Sequence, residues 1–566
     1  MKKRYIYVMI ISIISIIMCC TYILITDIPS NSNYINFTIP KNNYGEKKIT
    51  IENTTKKEKK YQIVINKSNI DNSPEYIYYK LINNSKIIEQ GIVHDNYIIG
   101  IVSIKAGEKK DYKLRLESIN NIKKSIIIKG NITTKIYKEK NISYLTSEYK
   151  KINQQMIFLA NGQNNKTDQN IKKIKIASKI NKKYEKEEYI VSDKDSSRPI
   201  YMWYKNHTIY FYSKNEIGLP KTADRYFSNL EKLEDIKDLK YFHTEEVISM
   251  DSMFYNDSSL NNINALSYWK TLKVKNMSNM FSRCTELTDI SSLAGWNISN
   301  VEEMKSLFYY TGIVNIKPLK YWNTANVEDI SYIFSESEIK KLDGLENWNV
   351  SKVRNMTASF ENTRIESLKP LKKWKTSLLE KMDFTFSNTR IKNLEGLENW
   401  EVSKVTQMNN LFQLCIKLKN TDGIKKWNVS KTKNFTRMFY LCTELKRING
   451  LKNWNTESLE EIKEMFSNNK SLSNIEGLEN FKLDKVISLN GLFKGTKIKK
   501  TDQLISWNTS KVEEMDNIFA YTKIEDTTGI DNWNISNLKS AKNSFEKTII
   551  KPKWNGKFEE DGTFVK

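Results

Sequence analysis

His94, His207 and His243, the five cysteines and a recurring pair of glutamates are the residues of this chain that could carry chemistry. Imidazoles and thiolates hold zinc when three or four converge, and a hydroxyl or thiol becomes a nucleophile when a histidine takes its proton. The three histidines stand too far apart in the repeat register set out below to share a site, so neither a metal cluster nor a histidine-activated nucleophile is expected. Glu302-Glu303, Glu460-Glu461 and Glu513-Glu514 could serve a hydrolase as acid and base. They recur at one place in a repeating unit, on the first turn of an expected short helix, where carboxylates complement the helix dipole. That is a structural use. No catalytic residue, metal ligand or cofactor is expected, and the protein reads as a non-enzyme.

Cys284, Cys415 and Cys442 each follow a recurring aromatic residue by fifteen positions, so Cys415 and Cys442 should be stacked neighbours in adjacent repeats. A disulfide between them is geometrically conceivable. Because Cys284 holds the same place with no partner, buried free thiols are the better expectation. Five cysteines in 566 residues make no disulfide framework.

The element that must position all of these is a repeat. An aromatic residue recurs at Phe242, Trp269, Trp296, Trp322, Trp348, Trp374, Trp400, Trp427, Trp454, Phe481, Trp507 and Trp533, at spacings of 26 or 27, and a Phe follows each by twelve residues, from Phe254 to Phe545. Between the two anchors, apolar residues stand at offsets five and eight, as Val353 and Met356 do after Trp348, and spacings of three and four describe one face of a short helix. Thr244, Thr271, Ser299, Thr324 and Ser351, two or three residues after their aromatics, are placed to cap its start. Before each aromatic, apolar residues stand three, six and nine positions back, as Leu345, Leu342 and Ile339 do, which suits a brief strand or turn. One such winding cannot bury its Trp, Met, Phe and Leu alone, but a stack makes them a continuous core.

The unit W-N-x-S-x-V-x-x-M-x-x-x-F, nearly intact at Trp348 to Phe360 and Trp507 to Phe519, with Pro199-Ile200-Tyr201 through Ser213 ahead of the array, resembles the BspA-like leucine-rich-repeat surface proteins of bacteria. The resemblance covers residues 189–545 and departs at Thr432, in place of Val, and Ala541, in place of Met. It implies cell-surface location and adhesion or other protein binding, and carries over no catalytic residue. The expected fold class is therefore a leucine-rich-repeat-like solenoid, a short strand plus a short helix per repeat, over residues 241–545. Residues 189–240 are expected to cap its front and 546–566 its back.

Ahead of the array, Tyr5 to Thr26 run uncharged behind Lys2, Lys3 and Arg4, long enough to span a bilayer as a helix. The basic cluster would keep residues 1–4 cytoplasmic and send the bulk of the chain outside, as a single-pass signal anchor over 5–26. Lipoprotein processing at Cys19 is the alternative, against which Met18 stands where such signals use a small residue. Short Ile-, Tyr-, Val- and Thr-rich stretches over 34–138 suggest a small all-β sandwich-like domain, and 139–188 a charged linker.

The formal charge of +24 is uneven: residues 101–200 hold 23 basic and 11 acidic residues, while the repeats are nearly balanced. The Lys, Ile and Asn bias reads first as the codon usage of an AT-rich genome. The functional expectation is a membrane-anchored surface protein that binds an extracellular protein or surface polymer, with no nucleic acid as partner. A structural spacer at the envelope and a wall-polymer binder acting through residues 101–200 are the alternatives. Binding residues on such an array are its variable exposed ones, so no ligand-binding residue is singled out.

Overall fold

A computed structural model describes residues 22–25, 33–39, 44–53, 56–69, 77–93, 97–118, 126–136, 140–163 and 165–566. Among the described residues nine strands precede residue 140. β1 (Tyr22–Ile25), β3 (Tyr44–Glu52), β5 (Ile77–Asn83), β6 (Lys86–Ile92) and β8 (Lys109–Ser118) form one sheet in the order β1-β3-β8-β5-β6. β2 (Asn33–Ile39), β4 (Lys59–Asn69), β7 (Tyr97–Ile104) and β9 (Ile126–Ile136) form the other, in the order β2-β9-β4-β7. Alternation makes the core: Ile49, Ile51, Leu114 and Leu116 from the first sheet meet Ile63, Ile65, Ile99 and Val102 from the second. The intervening Glu46, Lys113 and Arg115 pair on the outer face.

The transmembrane expectation is overturned. Among the described residues no helix is long and apolar enough to cross a membrane. Tyr22–Ile25, the end of the stretch read as a spanning helix over 5–26, is a strand paired in parallel with Lys48–Ile51. An uncharged run of Ile, Leu and Thr satisfies a spanning helix by hydrophobicity, but β-branched residues also suit a sheet, and hydrophobicity alone does not choose between the two. The signal anchor and the single-pass localisation, with residues 1–4 cytoplasmic and the bulk extracellular, lose their support with it. Residues 1–4 and Cys19 lie outside the described residues.

Residues 140–218 build a small folded cap. β10 (Ile142–Tyr144) pairs in parallel with β14 (Glu216–Gly218), while β11 (Lys173–Ile176) joins the hairpin of β12 (Tyr201–Lys205) and β13 (Thr208–Tyr212). The hairpin turns at Asn206 and His207, both left-handed, as a two-residue loop requires. Helix α1 (Gln155–Asn161) ends at Gly162 in the left-handed region. The stretch read as a charged linker thus buries Ile152, Met156, Ile157, Ile171 and Ile174 against the array's first turn.

The leucine-rich-repeat fold class is also corrected. Among the described residues the one α-helix is α1, outside the repeats, and from 241 to 545 the chain runs in turns and short 3-10 helices such as Lys317–Tyr321. In place of the expected helix, each repeat makes two tight turns, each containing a left-handed residue, at offsets ten and fourteen from its aromatic. After Trp348 these are Ala358 (φ 54°) and Asn362 (φ 55°). Alternate amides point along the stack. Met356, Ala358, Phe360 and Asn362 donate to the carbonyls of Lys381, Asp383, Thr385 and Ser387 one repeat on, at 2.8 to 3.0 Å. The amides between them close the turns, Ser359 to Met356 and Glu361 to Ala358. Since every second N–H leaves the repeat, the i to i−4 bonds of a helix cannot form.

The stack begins one turn earlier than the aromatic spacing suggests. Arg225 and Asn229 take the same left-handed pair, and Phe227 opens a ladder of phenylalanines that runs to Phe545, with ring centroids 5.4 to 6.0 Å apart. At the far end, Trp554 stacks on Trp533 at 6.3 Å, and β15 (Lys557–Phe558) pairs with β16 (Phe564–Val565) over the last turn. The threonines read as helix caps are straps between repeats. Thr324 Oγ1 donates to the carbonyl of Asn349 and accepts its N–H, at 3.1 and 2.8 Å. Ser351 N–H instead donates to Asn349 Oδ1, so where Asn follows the tryptophan, as also at Asn297, Asn428 and Asn508, its side chain makes the turn.

The β domain rests on the array beside the 3-10 turns. Tyr78 stacks on Tyr321 with ring centroids 4.0 Å apart, Lys270 pairs with Glu89 at 3.0 Å, and Gln90 donates to the Trp296 carbonyl at 3.3 Å. Gly295 permits the approach, since a Cβ there would lie 2.7 Å from Gly91 Cα.

Candidate binding face

On each repeat the residues at offsets six, seven, nine, ten, thirteen and fourteen lie beside the inter-repeat ladder on one side of the stack, and make an outward face broken only where a small residue such as Ser331, Ser335 or Ala358 is buried. Its register is held by parallel bridges, Asn276 to Glu303 to Asp329 to Asn355 to Lys381 to Gln407. The β domain touches the array through Lys270, Gly295, Trp296 and Tyr321, all off this face.

The carboxylate pairs sit here, at no helix terminus. Glu302 pairs with Lys275 at 2.9 Å, Glu460 with Lys433 at 3.0 Å and Glu513 with Lys539 at 2.7 Å, each across one repeat boundary. Glu461 and Glu514 accept from the side chains of Asn434 and Asn490. Such exposed pairs are worth about 0 to 1 kcal/mol each, and their effect is to match one repeat to the next.

The face changes character along the array. From the Trp296 to the Trp374 repeat it carries Glu302, Glu303, Glu328, Asp329, Glu336, Glu361, Glu380 and Asp383 against Lys305, Arg354 and Lys381. Several of these carboxylates are held by neutral donors, which leave the charge in place. Asp329 accepts from Ser331 N–H and Asn355 Nδ2, Glu336 from Asn362 Nδ2, and Asp383 from Asn409 N–H. Burial, and then the charges of Asp329, Glu328 and Glu302, raise the pKa of Glu303 from its ordinary value. Burial and Glu336 do the same to Glu361.

Among these carboxylates stands an aromatic cluster. Tyr309 meets Tyr310 at 6.3 Å and Tyr332 edge-on at 6.4 Å, and Tyr310 is 47% exposed. The guanidinium of Arg283 lies 5.8 and 6.0 Å from the rings of Tyr309 and Tyr310. The repeat period does not reveal this cluster, which belongs to a few repeats only.

The remaining candidates stay apart. His94 lies outside the described residues. His207 Nδ1 meets the Asn170 carbonyl at 2.8 Å on the β12–β13 turn. His243 stands between Glu216 and Glu245, with Lys140 also on Glu216. Burial works against the His243 charge, but the two carboxylates outweigh it and raise its pKa. Among the described residues no group of three or more His, Cys, Asp or Glu could hold a metal ion. Cys284, Cys415 and Cys442 are free thiols in the core, each donating to a phenylalanine carbonyl one repeat back at 3.1 Å. Burial lifts the Cys415 thiol to about 11, where it is a poor nucleophile. In the basic stretch 101–200, Lys113 and Arg115 are paired with Glu46 and Lys110 with Glu108.

No curated protein and no solved structure matches the chain. The family described as "Mycoplasma protein of unknown function, DUF285" matches it four times, over residues 221–343, 329–447, 380–500 and 444–554. These stretches overlap along the array and together take in more than half of the sequence, so the chain belongs to the DUF285 family.

Proposed function

We propose that this chain is a non-catalytic recognition protein that binds a polypeptide partner along the ladder face of its array. The observation that carries the reading is the regular outward face itself. Its backbone is tied rung to rung, its side chains differ from repeat to repeat, and the docked β domain sits elsewhere. A surface of that kind holds side chains at fixed spacing and loses little conformational freedom on binding, which favours affinity. The resemblance of the repeat unit to bacterial adhesive proteins points the same way. The buried thiols and scattered histidines suit no nucleophilic reaction.

The test is selection of a displayed random-peptide library on the immobilised full chain, followed by binding to two sets of variants. Recognition by the face predicts peptides whose binding falls with substitutions at Tyr309, Tyr332 and Glu361, and stays with substitutions on the 3-10 side such as Lys372→Ser and Lys373→Ser. A chain that merely spaces other domains would enrich no sequence, or peptides indifferent to both sets.

A further inference from the structure

We propose that the partner segment bound by the Trp296 to Trp374 repeats is a cationic polypeptide, whose Arg or Lys side chains lie over Tyr309, Tyr310 and Tyr332 and against the carboxylates around them. The inference rests on the recognition reading and names the chemistry of its ligand.

Three observations converge. First, the face itself offers the precedent: Arg283, a rung before the cluster, already places its guanidinium over the Tyr309 and Tyr310 rings. A cation over an aromatic face is favoured, more so as water is excluded. Second, the rungs that follow carry an excess of carboxylates whose partners include neutral donors, in a chain whose net charge is +24. Stacked carboxylates at one rung spacing repel one another. A segment bringing positive charge relieves that repulsion, whereas an acidic one adds to it. Third, Tyr332 joins the two features. Its ring meets Tyr309 edge-on, and Glu361 and Asp383 lie near enough to its hydroxyl to raise its pKa, after burial. Carboxylates and rings therefore form one surface. At about 4.8 Å per rung, four rungs extend roughly 15 to 20 Å, the reach of about five or six extended residues.

The experiment measures binding of fluorescein-labelled (Gly-Arg)4, (Gly-Glu)4 and (Gly-Ser)4 to the full chain by fluorescence polarisation, at low and moderate salt. The (Gly-Arg)4 peptide should bind saturably, about tenfold or more tighter than the other two, and weaken with salt. The triple variant Glu303→Gln/Glu361→Gln/Asp383→Asn should weaken it about tenfold. Tyr332→Asn, which keeps a residue tolerant of the left-handed backbone, should weaken it roughly three- to tenfold. Glu366→Gln/Glu395→Gln/Glu444→Gln makes the same charge change off the face and should leave the affinity within about twofold. Circular dichroism of each variant separates lost binding from lost fold. Equal binding of the three peptides, or equal losses in both triple variants, overturns the assignment. If (Gly-Arg)4 fails while library-selected peptides still depend on this face, the cationic assignment falls and the recognition reading stands.

Discussion

The indole N–H of Trp348 donates to the carbonyl of Leu319, 3.1 Å away and one repeat back, and the same carbonyl accepts the backbone N–H of Trp322. The arrangement recurs at Trp269 with Leu239, Trp374 with Leu345 and Trp507 with Leu478. Each of these tryptophans therefore fills the core and closes the preceding turn. Phenylalanine at 242 and 481 fills the same place without the second contact.

Trp374→Phe measures that contact. Leu345 would keep the backbone N–H of Trp348 as its donor, so no buried acceptor is orphaned and the cost should be about 1 kcal/mol. Trp374→Ala, which opens a cavity in a fully buried site, should cost about 3 to 5 kcal/mol. Urea denaturation of the full chain followed by far-ultraviolet circular dichroism orders the two. Equal shifts would mean that the hydrogen bond outweighs the packing and that this division is wrong.

Ala358 tests the left-handed turns. Its φ is 54° and it is buried. A Cβ costs roughly 1 to 2 kcal/mol in that region, while glycine loses about 0.5 to 1 kcal/mol of chain entropy on folding. Ala358→Gly should therefore be neutral to stabilising by about 1 kcal/mol. Ala358→Val, with its second Cβ branch, should be destabilising by at least about 2 kcal/mol. Thermal melts decide, and a glycine variant less stable than the valine one would refute the turn geometry.

How far the sequence carried follows from what periodicity can encode. The Trp and Phe ladders were legible because burial recurs at one offset per repeat. The backbone between them was not, because apolar spacings of three and four fit a helix face and also a pair of turns. The discriminating signal was present in the residues that take left-handed φ. At offsets ten and fourteen, from Ser252 and Asn256 to Asn543 and Lys547, no Val, Ile or Thr occurs, and the Phe481 repeat has Gly491 and Gly495. Asparagine and glycine at a fixed offset argue for a left-handed backbone and against a helix. The spanning helix failed for a related reason, since Tyr22–Ile25 satisfies hydropathy and strand propensity together. The docking of the β domain had no sequence signature at all, for it rests on single contacts that do not recur, the stacked Tyr78 and Tyr321, Lys270 with Glu89, Gln90 on the Trp296 carbonyl, and the room left by Gly295.

Gly295→Val should lift the β domain from the array. A Cβ at that position would collide with backbone, Gly91 Cα and Ile92 N at 2.7 Å, and no rotamer change relieves it. Hydrogen exchange should then speed up along Lys86–Ile92 and at the Tyr321 turn, with amides between Met408 and Phe519 unchanged. Unaltered protection of β6 would mean that the contact does not hold the two parts together.

Asp257 makes the stability of the array depend on pH. It occupies the offset taken elsewhere by Cys284, Thr311 and Thr389, fully buried, with Oδ1 accepting the Leu230 N–H at 2.8 Å and Oδ2 without a donor among the described residues. Burial pushes its carboxyl well above the ordinary range. A folded value raised above the unfolded one, about 3.9, gives a contribution fully present below that pH and lost as the pH rises through the folded value. Asp257→Asn keeps the Oδ1 acceptor and does not titrate. Its gain in stability over the parent should be near zero at pH 3 and grow toward neutrality, to about 1 to 3 kcal/mol. Comparing the two proteins at each pH cancels the other titrating groups. A gain that stays constant from pH 3 to 7 would mean that the folded and unfolded values coincide, and that burial does not raise the Asp257 carboxyl.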